Sequence, residues 1–85
     1  MLDSHLKDLE LKMERARYLP PGDDRNKVDK LADDALREII VLDQCVAAGA
    51  SIERIYEIED RVMDLLEKVR KTIKKALNQL EDEQT

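Results

Sequence analysis

The sequence predicts an all-α fold, in which an antiparallel helical hairpin is completed to a three-helix bundle by a shorter first helix. Two observations favour this class. Charged residues make up 41% of the 85 residues, and only two side chains, both Tyr, are aromatic. Apolar residues also recur at the spacing of one helix face in three segments, which are separated by Pro-Pro-Gly and by Gly. With so few aromatic side chains, the core must be built from Leu, Ile, Val, Met and Ala.

The first helix is predicted from about residue 3 to residue 18, with Asp3 or Ser4 as its N-cap. A heptad seam, in which apolar residues lie alternately four and three apart, runs along it. The members of this seam are Leu2, Leu6, Leu9, Met13 and Ala16. The loop 19–23 follows, because its two prolines cannot continue a helix. We expect Asp23 or Asp24 to cap the next helix.

The second helix is predicted from about residue 25 to residue 48. Placed 100° apart per residue, seven apolar side chains fall on one broad face, and Asp43 lies at its edge. The seven are Val28, Ala32, Ala35, Leu36, Ile39, Leu42 and Val46. Gly49 can supply the left-handed conformation that closes a helix, and Ser51 can cap the next one. The sequence therefore predicts a tight corner at this point.

The third helix is predicted from about residue 52 to residue 81, with residues 82–85 frayed. Its buried face should hold Ile55, Ile58, Val62, Leu65, Leu66, Val69, Ile73, Ala76 and Leu80. The second and third helices then form the hairpin of a single domain, residues 1–85. Two helices alone leave much of their apolar faces in water, so a third is needed. The first helix supplies it, either within the same chain or from another.

Charge and hydropathy disfavour nucleic-acid and membrane partners, and the cysteine content indicates the redox setting. The net charge of −5 disfavours nucleic acid, whose phosphates call for a basic surface. No apolar stretch approaches the roughly 20 residues that span a bilayer, and no signal peptide opens the chain. Cys45 is the only cysteine, so no internal disulfide is possible. A single thiol is typical of a reducing, cytoplasmic setting.

The chain offers no convergent catalytic groups, and we predict that it is not an enzyme. His5 is the only histidine and is interpreted as a surface residue without a nucleophile nearby. Cys45 lacks a metal-binding partner and is interpreted as a small, partly buried filler. There is no Gly-rich phosphate loop. We expect no cofactor and no metal.

Charged flanks border the apolar faces of both hairpin helices. Basic residues recur every seven positions on the third helix: Arg54, Arg61, Lys68 and Lys75. Asp33 and Asp43 lie ten apart on one flank of the second helix, beside Asp29 and Ile40. Such charges either pair with neighbouring helices and keep the surface solvated, or hold a charged partner in one register.

The segment "LREIIVLDQCVAAG", followed by a helix of the type "VMDLLEKVRKTI", resembles the BAG domain. BAG domains are co-chaperone modules that bind heat-shock protein 70 chaperones. The resemblance covers residues 24–80 and includes the Leu-Asp pair, Leu42 and Asp43, near the end of the second helix. The chain departs from the family early in the third helix, where "ERIYEIEDRV" replaces an Arg-rich patch.

The resemblance implies that Asp33 and Asp43 contact the ATPase domain of the chaperone, and we expect Arg61 and Lys68 of the third helix to join that contact. It also implies a function. Binding would favour the open form of the ATPase domain and so promote nucleotide exchange. The alternative is a structural or adaptor coiled-coil protein that forms homo- or hetero-oligomeric bundles, in which the same charges only set the register.

Overall fold

The computed structural model describes residues 2–84, with the side chains of residues 4–82. This part of the chain forms three helices, α1 (Leu2–Ala16), α2 (Asp23–Ala47) and α3 (Ile52–Gln84). The α2 helix packs along α3, and α1 contacts both. The predicted all-α three-helix bundle is therefore confirmed, and it is α1 of the same chain that completes it.

The corner between α2 and α3 has the predicted geometry. Gly49 takes the left-handed conformation, with a φ of 73°. The amides of Gly49 and Ala50 donate to two carbonyls in the last turn of α2, at 3.2 and 2.9 Å, which closes the helix in a Schellman arrangement. The hydroxyl of Ser51 then accepts from the amide of Arg54 at 3.3 Å. Local chemistry thus turns the chain back on itself within four residues, 48–51.

The bounds of α1 differ from the prediction at both ends. The helix already includes Leu2, so Ser4 lies in its first turn and is not the N-cap. The side chain of Asp3, the other predicted cap, lies outside the described residues. The helix ends at Ala16, two residues earlier than predicted. The next three amides donate to carbonyls three residues back, a tighter turn that leads into Pro20.

The predicted N-cap of α2 is wrong. The helix begins at Asp23, and Gly22 occupies the N-cap position without a side-chain hydrogen bond. Asp23 and Asp24 instead lie in the first turn. Carboxylates are favourable there because the helix dipole is positive at its N-terminus.

The end of α3 differs from the prediction, because the helix continues to Gln84 and so includes residues 82–84 of the predicted frayed tail. No Gly or Pro follows Leu80, and Glu and Gln are good helix formers. Leu80 itself packs against the core. Thr85 lies outside the described residues.

The core forms two apolar clusters, one towards each end of the bundle. The cluster near the corner contains Leu9, Ala32, Ala35, Ile39, Leu42, Ile58, Val62 and Leu66. The other contains Ala16, Leu19, Val28, Val69, Ile73 and Ala76. Most of the predicted buried faces are thereby confirmed. Leu6, Leu36 and Val46 are exceptions and remain exposed. Leu36 lies at the margin of the apolar face, and Val46 lies in the last turn of α2. The side chain of Leu2, also in the predicted seam, lies outside the described residues.

Candidate protein-binding surface

A line of exposed side chains runs along one flank of α2. Its residues lie alternately four and three apart, so they share one side of the helix. We call it the α2 stripe: Asp29, Asp33, Leu36, Ile40, Asp43 and Ala47. Leu36 is 40% exposed and Ile40 is 49% exposed. Two large aliphatic side chains are therefore left in water between carboxylates.

The carboxylates of the α2 stripe are available to a partner. Asp33 and Asp43 are both exposed. Neither accepts a side-chain hydrogen bond or an ion pair from any side chain in residues 4–82. Asp64 on α3 differs, since it lies 3.1 Å from the ammonium of Lys68. The stripe thus combines apolar area with unpaired negative charge.

The two predicted basic residues, Arg61 and Lys68, lie seven apart on one exposed flank of α3. Lys68 pairs with Asp64, whereas Arg61 has no side-chain partner in the described part of the chain. The opposite flank of α3 faces α1, because Glu59 lies 3.8 Å from His5 there. Arg61 and Lys68 are therefore on the side of α3 away from α1.

Asp33 and Asp43 share one surface, and Arg61 and Lys68 share another. The acidic pair and the basic pair do not lie together. Arg25 lies about five turns before Asp43, which places both on the same side of α2. The guanidinium of Arg25 donates to the carbonyl of Leu19, just beyond α1, at 3.0 Å. The acids therefore lie on the side of α2 towards α1, whereas Arg61 and Lys68 lie on the edge of α3 away from it. They form two surfaces.

His5 does not have the predicted surroundings of a surface residue. Its side chain is only 14% exposed, and its Nε2 lies 3.8 Å from Oε2 of Glu59. His5, Leu9 and Ala16 lie four and seven apart, so the heptad spacing itself could have indicated a place at the α1–α3 contact. Cys45 is partly buried against the core, as predicted.

A second apolar surface was missed from the sequence. Ile52, Tyr56 and Met63, which we call the α3 patch, are each more than half exposed. Their spacing of four and seven puts them on one side of α3, outside the predicted buried face. The sequence signal for the patch is limited to the presence of three large apolar side chains of α3 that do not fit on the predicted buried face.

In the described residues, no group of three or more His, Cys, Asp or Glu side chains could hold a metal ion. Within the same limits, none of the helices is both long and apolar enough to cross a membrane. Comparison with protein-family models, with curated proteins and with solved structures finds no match for this chain.

Proposed function

We propose that this chain is a non-catalytic protein-binding module that uses its α2 stripe to bind the ATPase domain of a heat-shock protein 70 chaperone and promote nucleotide exchange. One observation supports it. Exposed Leu36 and Ile40 lie on the same stripe as Asp33 and Asp43, whose carboxylates have no ion-pair partner among the described side chains. The resemblance of this segment to the BAG domain supplies the identity of the partner.

The two kinds of side chain have different roles in this proposal. Burial of Leu36 and Ile40 supplies affinity, at about 25 cal/mol for each Å² of apolar surface removed from water. Asp33 and Asp43 supply register and selectivity, because they meet basic groups at the rim of the contact. Binding the open ATPase domain more tightly than the closed one shifts its population and so speeds ADP release.

Arg61 and Lys68 enter the proposal as a secondary contact. They lie on the far edge of α3, so a partner reaches them together with Asp33 only if its cleft encloses α2. Lys68 would also exchange its pairing with Asp64, 3.1 Å away, for the new contact. Exposed pairs of this kind contribute only about 0.2–1 kcal/mol, so the exchange costs little.

Reversal of the charge of Asp43 tests the proposal. We expect Asp43→Lys to weaken binding to the purified, ADP-loaded ATPase domain at least about tenfold, because a basic partner group then meets a like charge. The rate of ADP release should fall in proportion. Calorimetric titration measures the affinity, and release of a fluorescent ADP analogue measures the rate.

Asp60→Lys is the matched control, since it makes the same charge change at another exposed carboxylate, on α3 and outside the stripe. Binding by this variant should stay within about twofold of the parent value. Unchanged binding by Asp43→Lys, or equal losses in the two variants, would contradict the proposal.

A second candidate function is an adaptor that assembles with a further helix. The α3 patch favours it, because Ile52, Tyr56 and Met63 present apolar side chains at helical spacing. A helix laid along this patch would extend the bundle and leave the α2 stripe free. The two candidates therefore depend on different surfaces.

A further inference from the structure

A groove between α1 and α3 carries an excess of basic side chains. The wider part of the groove encloses about 710 Å³. From there the groove narrows along α3 towards Leu77. The basic residues that line it are Lys12, Arg15, Arg17, Arg70 and Lys74, and the acidic ones are Asp8, Glu14 and Glu81. Together with Glu67, which binds Arg70, the acids number four against five bases, so the groove has a net charge of +1 on a chain whose net charge is −5. Exposed Leu11 and Tyr18 add apolar surface to its rim.

Some of these bases are already paired and others are not. The ammonium of Lys12 lies 2.6 Å from Asp8, and the guanidinium of Arg70 donates to Glu67 at 2.6 and 3.0 Å. These hydrogen bonds lower the pKa of the Glu67 carboxyl, which therefore stays ionised. Arg15 and Lys74 have no side-chain partner in residues 4–82.

We propose that the α1–α3 groove of one copy binds the α2 stripe of a second copy. The stripe has three carboxylates and no base, whereas the groove presents the unpaired cations of Arg15 and Lys74. The apolar parts also match, since Leu36 and Ile40 would meet Leu11 and Tyr18. Opposite charge and apolar contact thus favour the same pairing.

The lengths of the two surfaces favour the pairing of stripe with groove, and their charges disfavour the pairing of two stripes. From Asp29 to Asp43 the stripe is about 21 Å long, and the wall of the groove from Arg70 to Glu81 is about 16 Å. The two are therefore of similar length. Two stripes placed face to face would bring three carboxylates against three, so stripe-to-stripe association is disfavoured.

This inference rests on the proposed function and adds a means of regulation to it. A second copy seated on the α2 stripe covers Leu36 and Ile40, so self-association competes with the chaperone. The contact joins different surfaces of the two copies, which makes it heterologous and able to extend to further copies. Because its charges are exposed, salt should weaken it.

Sedimentation of two charge-reversed variants tests the inference. The groove variant is Arg15→Glu with Lys74→Glu, and the stripe variant is Asp33→Lys with Asp43→Lys. All four side chains are exposed, so circular dichroism should show unchanged helix content. Between about 10 μM and about 1 mM, the parent protein should rise in weight-average mass above the 9.9 kDa of one chain.

Each variant alone should remain a monomer, because its groove and stripe then carry the same sign of charge. An equimolar mixture should associate, because the intact stripe of one variant meets the intact groove of the other. A parent protein that stays monomeric throughout, or a mixture that does not associate, would overturn the inference. Purified protein alone is used, so failure here is distinct from failure to bind the chaperone.

Discussion

Replacement of Ile58 by Ala is expected to lower the free energy of unfolding by about 3 kcal/mol, within the usual range of roughly 2–5 kcal/mol for such truncations. Ile58 is fully buried in the cluster near the corner, where α3 meets Leu9 of α1 and Leu42 of α2. Truncation to Ala loses the free energy gained by moving the deleted atoms out of water, and it leaves a cavity between three helices. A small domain is stable by only about 5–15 kcal/mol, so urea unfolding followed by circular dichroism resolves the change easily.

Ile52→Ala is the matched control, because it removes the same atoms from the first turn of the same helix. Ile52 is 68% exposed, and we expect a change within about 0.5 kcal/mol. Similar losses from Ile58→Ala and Ile52→Ala would mean that the core does not lie where the bundle places it.

The second large effect is expected on binding. The double substitution Leu36→Ala with Ile40→Ala should weaken binding to the chaperone ATPase domain by about 10- to 100-fold, since it removes most of the apolar contact area of the α2 stripe. Stability should change by less than about 2 kcal/mol, because both side chains are already partly in water and Ala favours a helix. Titration calorimetry and urea unfolding on the same samples separate the two effects.

Tyr56→Ala with Met63→Ala is the companion variant on the α3 patch. It should bind the ATPase domain as the parent protein does. The reverse pattern, with binding lost on the α3 patch and kept on the α2 stripe, would move the functional surface to α3 and favour the adaptor.

Much of the fold could be predicted because it depends on local spacing. The apolar periodicity of 28–42 and 58–76 fixes which faces of α2 and α3 meet, whatever the partner. The corner depends on Gly49 and Ser51, whose backbone and capping chemistry act over a few residues. These features do not require knowledge of how distant segments pack.

The remaining features depend on tertiary packing, which the spacing within one helix does not report. Leu36 has the period of a core residue, but its exposure depends on where the neighbouring helices stop covering α2. His5 is mostly covered because Glu59 of α3 comes within 3.8 Å. The separation of Asp43 from Arg61 likewise depends on which side of the hairpin α1 occupies, and the sequence left the origin of that third helix open.

Methyl NMR shows most directly whether the α2 stripe is the surface that binds the chaperone. Unlabelled ADP-loaded ATPase domain is added to protein labelled with ¹³C at its Ile and Leu methyl groups. We expect the signals of Ile40 and Leu36 to shift or broaden in proportion to the amount bound, while that of Ile52 stays in place. Unchanged Ile40 and Leu36 signals at saturating ATPase domain, or changes confined to Ile52, would contradict it.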